Sequence, residues 1–330
     1  MSNKRQFAAI GLDIGGTKIA AGVVLWPSGE ILRRTVIPTK PTRGGEPVLS
    51  DTLALAAQLN DWALKDGIQI KGIGAGVAEL VDCDGNVTSS CTIHWRGVPV
   101  QERLSEIAPA RVESDVRAAA LAEAIFGAGR QSRLFVYVTV GTGISSCLMQ
   151  NGYPLKGANG NAITLSSSPL STVCTHCGVK QHPVLEEFAS GPAIAKRFAA
   201  AKKSENHAQV GAAEHVFHAA SNGDNVAAEI LTSAGEALGV STAFLVNVLD
   251  PEMIVIGGGL GLAGGLYWDT FLRSCREHIF ADNSRGLPIV RAEMGIDAGL
   301  VGAAAGVFVQ QNTNKESNIH GTNRKHTGTN

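Results

Sequence analysis

Apolar residues in this chain come in short runs broken by glycine, and their spacing reads as strand–turn–strand. Phe7 to Ile14, Lys18 to Leu25 and Ile31 to Val36 are expected as strands, joined by a glycine turn and by Pro27-Ser28-Gly29. Turns that short can link only antiparallel neighbours. Glu46 to Lys65 carries Val48, Leu53, Leu55, Leu59 and Leu64 near helical spacing, with Gly67 as a stop, and a strand over Ile68 to Val77 follows. A short helix near Val100 to Ile107, a strand Ala110 to Glu113 and an alanine-rich helix Val116 to Phe126 complete a first module. The pattern restarts at Leu134, with Phe135 to Val140 and Ile144 to Met149 flanking a second turn, Gly141-Thr142-Gly143.

The second half reads as helical over Leu185 to Lys203, Gly211 to Ser221 and Asn225 to Leu249. Then come a strand Met253 to Ile256, the run Gly257-Gly258-Gly259, a helix Gly265 to Phe280, a strand Pro288 to Val290 and a last helix Ala298 to Val309. Beyond Gln310 almost nothing is apolar, so residues 313–330 are expected as a disordered tail.

A length of 330 residues exceeds what one core usually serves and fits two similar modules. With 44% hydrophobic and 17% charged residues and a net charge of -1, nothing points to a nucleic-acid or membrane surface. A small molecule and a second copy of the chain are the expected partners. No early apolar run has the length of a membrane span and no cleavage signal follows Met1, so a cytoplasmic location is expected. Six cysteines in such a chain suit thiols or metal ligands better than a disulfide framework, and only Cys174 and Cys177 lie close together in sequence.

The chemistry concentrates at the two glycine turns. Glycine lets backbone N–H groups approach an anion, so Gly15, Gly16, Thr17 and Lys18, and again Gly141, Thr142 and Gly143, suit a phosphate cradle. Asp13, a carboxylate at a strand end beside the first turn, is a natural holder of hydrated Mg²⁺. Asp115 stands between a strand and a helix, where a helix cap and a general base are both open readings. Gly259 to Gly264 matches the dinucleotide pattern G-x-G-x-x-G, yet it falls late in the chain and has no acidic strand end about 20 residues on, which argues against NAD.

Six segments together resemble the ROK family of bacterial sugar kinases: GLDIGGTK (11–18), ESDVRAAALAEAIFGAG (113–129), VTVGTGISS (138–146), GYPLKGANG (152–160), LEEFASGPAI (185–194) and NVLDPEMIVIGGG (247–259). The resemblance implies an α/β, actin-like (ribonuclease H-like) fold of two domains with ATP in the cleft between them. It implies a smaller domain, 1–116 plus 297–312, and a larger one, 117–296, with dimerisation through the larger. On it, Asp115 is the catalytic base, Gly15 to Lys18 and Gly141 to Gly143 line the phosphates, and Gly257, Gly258 and Gly259 lie against adenosine. The family also contains repressors with a helix-turn-helix region ahead of the kinase-like part. A first strand within about seven residues of Met1 leaves no room for one, so the kinase branch is expected.

The chain departs from the family on the acceptor side. Thr164 and Ser167 stand where the family's E-x-G-H motif has its glutamate and histidine, Ser114 replaces the asparagine before the catalytic aspartate, Glu79 follows Ala78 in place of a P-G pair, and Thr92 replaces another asparagine. Asn159, Gly160 and Glu186 match the family's acceptor contacts. Exchanging carboxylate and imidazole for hydroxyls removes charge-assisted hydrogen bonds to one end of a sugar. The expected activity is therefore ATP-dependent phosphorylation of a primary hydroxyl on a hexose, an amino sugar or a sugar-like cyclitol. A C7 cyclitol of secondary metabolism and a non-catalytic sugar-binding or regulatory role are the alternatives. The family's structural Zn²⁺ loses its motif histidine here, leaving Cys174, Cys177 and His182, with His176 nearby, as candidate ligands.

Overall fold

A computed structural model of the chain describes residues 7–173, 178–202 and 213–321. It divides into unit 1, Met1–Phe126 with Lys156–Asn161 and Ile296–Asn330, and unit 2, Gly127–Leu155 with Ala162–Gly295.

Unit 1 is built on β1 (Phe7–Ile14), β2 (Lys18–Trp26), β3 (Ile31–Pro38), α1 (Gly45–Lys65), β4 (Gln69–Val77), α2 (Val100–Ser105), β5 (Ala110–Ser114) and α3 (Asp115–Ile125). Its sheet has the order β3-β2-β1-β4-β5. β1 pairs antiparallel with β2, and β2 with β3, while β1–β4 and β4–β5 are parallel. Strand side chains alternate between faces, and β1 shows what that achieves. Ile10, Leu12 and Ile14 join the core that Val48, Leu49, Leu55 and Leu59 of α1 complete. Gly11 and Asp13 take the other face, against the final helix α10 (Ala298–Gly321). A Cβ at Gly11 would lie 2.1 Å from the Leu300 carbonyl oxygen, and one at Gly74 of β4 1.8 Å from that of Ala303. Only glycine allows so close a seat, which packs Leu300, Val301 and Ala304 with no exposure above 1%. Burying one such Leu or Val is worth roughly 2 kcal/mol.

Unit 2 starts with β6 (Leu134–Val140), β7 (Ile144–Gln150) and β8 (Tyr153–Pro154), followed by the two-residue strands β9 (Thr172–Val173) and β10 (Lys180–Gln181). Helices α4 (Leu185–Ala189), α5 (Gly191–Ala201), α6 (Ala213–Ser221) and α7 (Asn225–Leu249) come next. Then follow β11 (Met253–Gly257), α8 (Gly259–Leu262), α9 (Gly265–His278) and β12 (Ile289–Arg291). The main sheet runs β12-β11-β6-β7-β8, with β6–β7 and β7–β8 antiparallel and β6–β11 and β11–β12 parallel. Strand for strand this repeats the pairing of unit 1. α7 and α9 pack so tightly that a Cβ at Gly239 would lie 2.7 Å from Ser274 Cβ. α7 is the one described helix long and apolar enough to cross a membrane, and most of that stretch is buried in unit 2.

Three details differ from the sequence reading. The helix expected over Leu185 to Lys203 breaks at Ser190, because Pro192 cannot donate and the Ser190 side chain caps a fresh start by accepting from Ala193 N. α3 belongs with unit 1 although the expected boundary was 116. Gly302 of α10 sits where a Cβ would lie 1.7 Å from the Ala118 carbonyl oxygen, which fixes α3 to α10. α10 continues to Gly321, so the tail expected from 313 begins as helix, and 322–330 lie outside the described residues.

Candidate active site

In unit 1 the first turn is a hairpin tip. Gly15 N–H donates to the Lys18 carbonyl at 3.0 Å, and Thr39, which follows β3, clamps the tip through its hydroxyl to Gly15 O at 2.6 Å and its N–H to Thr17 O at 3.0 Å. Thr39 is fully buried, so the turn is fixed from beneath while Thr17 and Lys18 remain exposed. Gly16 packs against Thr92, whose Cγ2 would lie 2.7 Å from a Cβ there. The first turn and one residue expected on the acceptor side therefore touch.

Asp13 and Asp115 are both half-buried, at the ends of β1 and β5, two strands flanking β4. Burial raises the Asp115 carboxyl to about 7; the Asp13 charge pushes the same way, and the Val116 N–H, bonded to Oδ1 at 2.7 Å, and Arg117 pull against it. Burial likewise raises Asp13 to about 6, with Lys18 lowering it and Asp297 raising it. A carboxylate brought close to neutral pH is what a general base for an alcohol needs. Asp115 is the first residue of α3, one past the N-cap residue Ser114, and the first-turn amide it meets is that of Val116, so its second carboxyl oxygen is not engaged by the helix start. Under Asp13 lies Gly299 of α10, where a Cβ would come within 2.7 to 2.9 Å of the carboxyl atoms. Gly299 thus seats the Asp13 carboxyl, and a carboxylate oxygen suits hydrated Mg²⁺, a hard cation that keeps several of its waters.

Glu79, expected as an acceptor contact, is instead spent on its own loop. It is 6% exposed; Cys91 N donates to Oε2 at 2.9 Å, Thr92 N and Ile93 N donate to Oε1 at 2.7 and 2.6 Å, and the Ser89 hydroxyl also bonds Oε2. These donors hold its carboxyl below the usual range even though burial opposes them. Glu79 thereby sets Thr92, and Trp95, fully buried and donating from Nε1 to Gly45 O at 2.8 Å, anchors the far end of that loop to α1.

In unit 2 the second turn is tied by Gly141 N–H to Gly143 O at 2.9 Å and by Gly191 N–H, at the start of α5, to Gly141 O at 2.9 Å. Gly257, Gly258 and Gly259 fall beside it, because β11 pairs with β6 up to Gly257 opposite Thr139. Gly258, at φ +81°, leaves room for Val140 O and Thr139 Oγ1, which a Cβ would approach at 2.4 and 2.7 Å. Glu186 accepts from Ile144 N–H at 2.7 Å, with its Oε2 where a Gly143 Cβ would lie 2.8 Å away. Glu186, expected as a sugar contact, thus also braces the second turn.

Thr164 and Ser167 lie on one short turn. Ser167 is exposed and its hydroxyl returns to Thr164 O at 2.9 Å. The preceding Ile163 has φ +58°, a left-handed conformation that costs a β-branched residue about 1 to 3 kcal/mol. The buried Ser146 hydroxyl donates to its carbonyl at 2.6 Å and so helps hold it there. Of the candidate zinc ligands, Cys174, Cys177 and His176 lie outside the described residues, between β9 and β10, and His182 is exposed. No group of three or more metal-ligating side chains occurs among the described residues.

Arg117 is not among the residues expected from the sequence. It is 5% exposed in the first turn of α3 and donates to Glu113 Oε1, Gly160 O and Val81 O; Lys156 takes the other oxygen of Glu113 at 2.8 Å. The spacing of Glu113 and Arg117, four residues apart, was the available signal, but its two carbonyl partners lie 36 and 43 residues away along the chain.

The sequence model of the ROK family matches residues 9–310. A glucokinase of Halalkalibacterium halodurans is 30% identical over 94% of this chain and 97% of its own length. An N-acetylmannosamine kinase of Shigella boydii is 28% identical over 89% and 96%. Among solved structures, a ROK family glucokinase from Streptomyces griseus, in complex with glucose and AMPPNP, is 30% identical, covers 92% of this chain and 99% of its own, and has a TM-score of 0.75. The fold is the actin-like α/β fold of these kinases.

Proposed function

This chain belongs to the ROK family, and from that premise we propose that it is an ATP-dependent sugar kinase with Asp115 as general base. The observation that carries the reading is the half-buried Asp115 carboxyl, raised to about 7 beside Asp13. It accepts the proton of a primary hydroxyl as that oxygen forms its bond to the γ-phosphorus; the bond from phosphorus to the β–γ bridging oxygen breaks, and ADP leaves. Phosphoryl transfer asks the protein mainly for alignment and charge neutralisation. We assign phosphate contacts to the first turn, Gly15 to Lys18, and the second, Gly141 to Gly143, with the Gly15 and Gly141 N–H groups closing the turns themselves, and adenosine contacts to Gly257 to Gly259. Asp13 would hold Mg²⁺, which when bound supplies neutralisation of the phosphate charge.

On the acceptor side we assign Ser114, Thr92, Asn159 and Gly160, with Thr164 and Ser167 presenting hydroxyls. Glu79 and Glu186 act by positioning: one places Thr92, the other the second turn. Hydroxyls in place of an ionic pair favour an amino sugar, a sugar lacking one hydroxyl or a C7 cyclitol over glucose itself. Measuring ADP release with D-glucose, D-glucosamine, N-acetylmannosamine and a C7 cyclitol should show acceptor-stimulated turnover that Asp115→Asn abolishes while ATP still binds. Turnover surviving in Asp115→Asn rejects the base, and no stimulation by any acceptor favours the non-catalytic reading.

A second copy is the partner we propose for the outer face of α7. Val240, Phe244 and Val248, at helical spacing, are 41, 63 and 60% exposed, an apolar stripe that a monomer rarely leaves bare. Sedimentation should find a dimer that Phe244→Asp converts to monomer.

A further inference from the structure

The segment Lys156–Asn161 belongs to unit 1 although the chain on either side of it belongs to unit 2. Its attachments converge on the strand–helix junction that carries Asp115. The Gly160 carbonyl meets Arg117 Nη1 at 2.5 Å, the Val81 carbonyl meets Nη2 at 2.6 Å, and Glu113, receiving Nε, also receives Lys156 Nζ at 2.8 Å. One planar cation thus gathers a carboxylate and two carbonyls from three separate stretches, a task for the rigid guanidinium fork that an ammonium cannot repeat. Gly160 makes the convergence possible. At φ +77° it lies so close to the Val81 loop that a Cβ would come within 2.2 Å of Val81 O. Arg117 is two residues beyond Asp115, and Gly160 is one beyond Asn159, so the clamp fixes the spacing between the proposed base and the proposed acceptor segment. Its donors face protein oxygens and it is 5% exposed, so it reaches the acceptor side through the segment, while its charge, which a lysine would keep, pulls the Asp115 carboxyl down.

We propose that Arg117, seconded by Glu113 and Lys156, is a positioning residue that docks Lys156–Asn161 beside Asp115 and thereby sets acceptor affinity. The inference rests on the kinase reading for its effect on catalysis and on geometry alone for the docking, so the two are measured separately. Hydrogen–deuterium exchange of Arg117→Lys, which keeps the charge and loses the fork, should show amides 157–161 exchanging about tenfold faster, with amides 141–146 unchanged. With ATP and the best of D-glucose, D-glucosamine, N-acetylmannosamine and a C7 cyclitol, acceptor KM should rise about tenfold while KM for ATP stays within about twofold. Unchanged exchange at 157–161, or equal shifts in both KM values, overturns the proposal. Should Arg117→Lys fail to fold, Lys156→Met, at the solvent edge of the clamp, should move the same two readouts in the same direction by about threefold, and no movement in either overturns it. If the wild type phosphorylates none of the four, the kinase reading fails and the exchange result still decides the docking.

Discussion

The two glycine turns occupy the same place in two copies of one strand pattern, β1–β2 in unit 1 and β6–β7 in unit 2, yet they are equipped differently. The first has Asp13 two residues before Gly15 and Lys18 directly after Thr17; burial raises both Asp115 and Asp13, and the Asp13 charge adds to the rise at Asp115. Its brace is a neutral hydroxyl, Thr39. The second presents only backbone and Thr142; its single carboxylate, Glu186, is turned to Ile144 N–H as support. A repeated scaffold thus supplies two glycine turns, and the two carboxyls raised toward neutral pH stand on one copy alone.

The sharpest test of that division is Asp115→Asn. Turnover should fall by about 10³-fold with ATP affinity, read by calorimetry, unchanged. The same substitution should raise the melting temperature at pH 8. The folded carboxyl keeps its proton up to about 7 and the unfolded one loses it near 3.8, so stability drains away as pH rises between those values, and the amide escapes the loss. Next in size is Asp13→Asn. kcat should drop by about 10²-fold, and the acid limb of kcat/KM, expected near pH 7 from Asp115, should move to lower pH once the neighbouring charge is gone. Substitutions in unit 2 should behave otherwise: Gly143→Ala, which pushes on Glu186, should raise KM for ATP by about tenfold and leave that limb in place. A moved limb would end the comparison. The smallest effect belongs to Ser146→Ala, which removes the donor to Ile163 and should cost about 1 kcal/mol in denaturant unfolding while raising acceptor KM a few-fold.

Much of the fold was legible because it is local. Alternating apolar runs and short glycine turns forced antiparallel pairs, and their recurrence after Leu134 announced the second copy, which the sheet orders bear out. What escaped depends on partners distant in sequence. Nothing near Asp115 in the chain predicts that α3 must follow α10, because that contact is made by Gly302. The bracing bonds of Glu79 and Glu186 depend on backbone amides at 91–93 and 144, whose directions only the folded loops define. Arg117 was hidden for the same reason. A buried cation can be read from sequence only when its partners can, and two of the three here are main-chain oxygens.

The seat of α10 against Gly11 and Gly74 has a consequence for synthesis. Strands β1 to β5 leave the ribosome early, but the helix that covers one of their faces is encoded after residue 295, so the first unit waits with an open flank while all of unit 2 is translated. A released chain ending before Ala298 should therefore be cut readily by protease within its first hundred residues and bind a holdase there, although it contains every residue of unit 2.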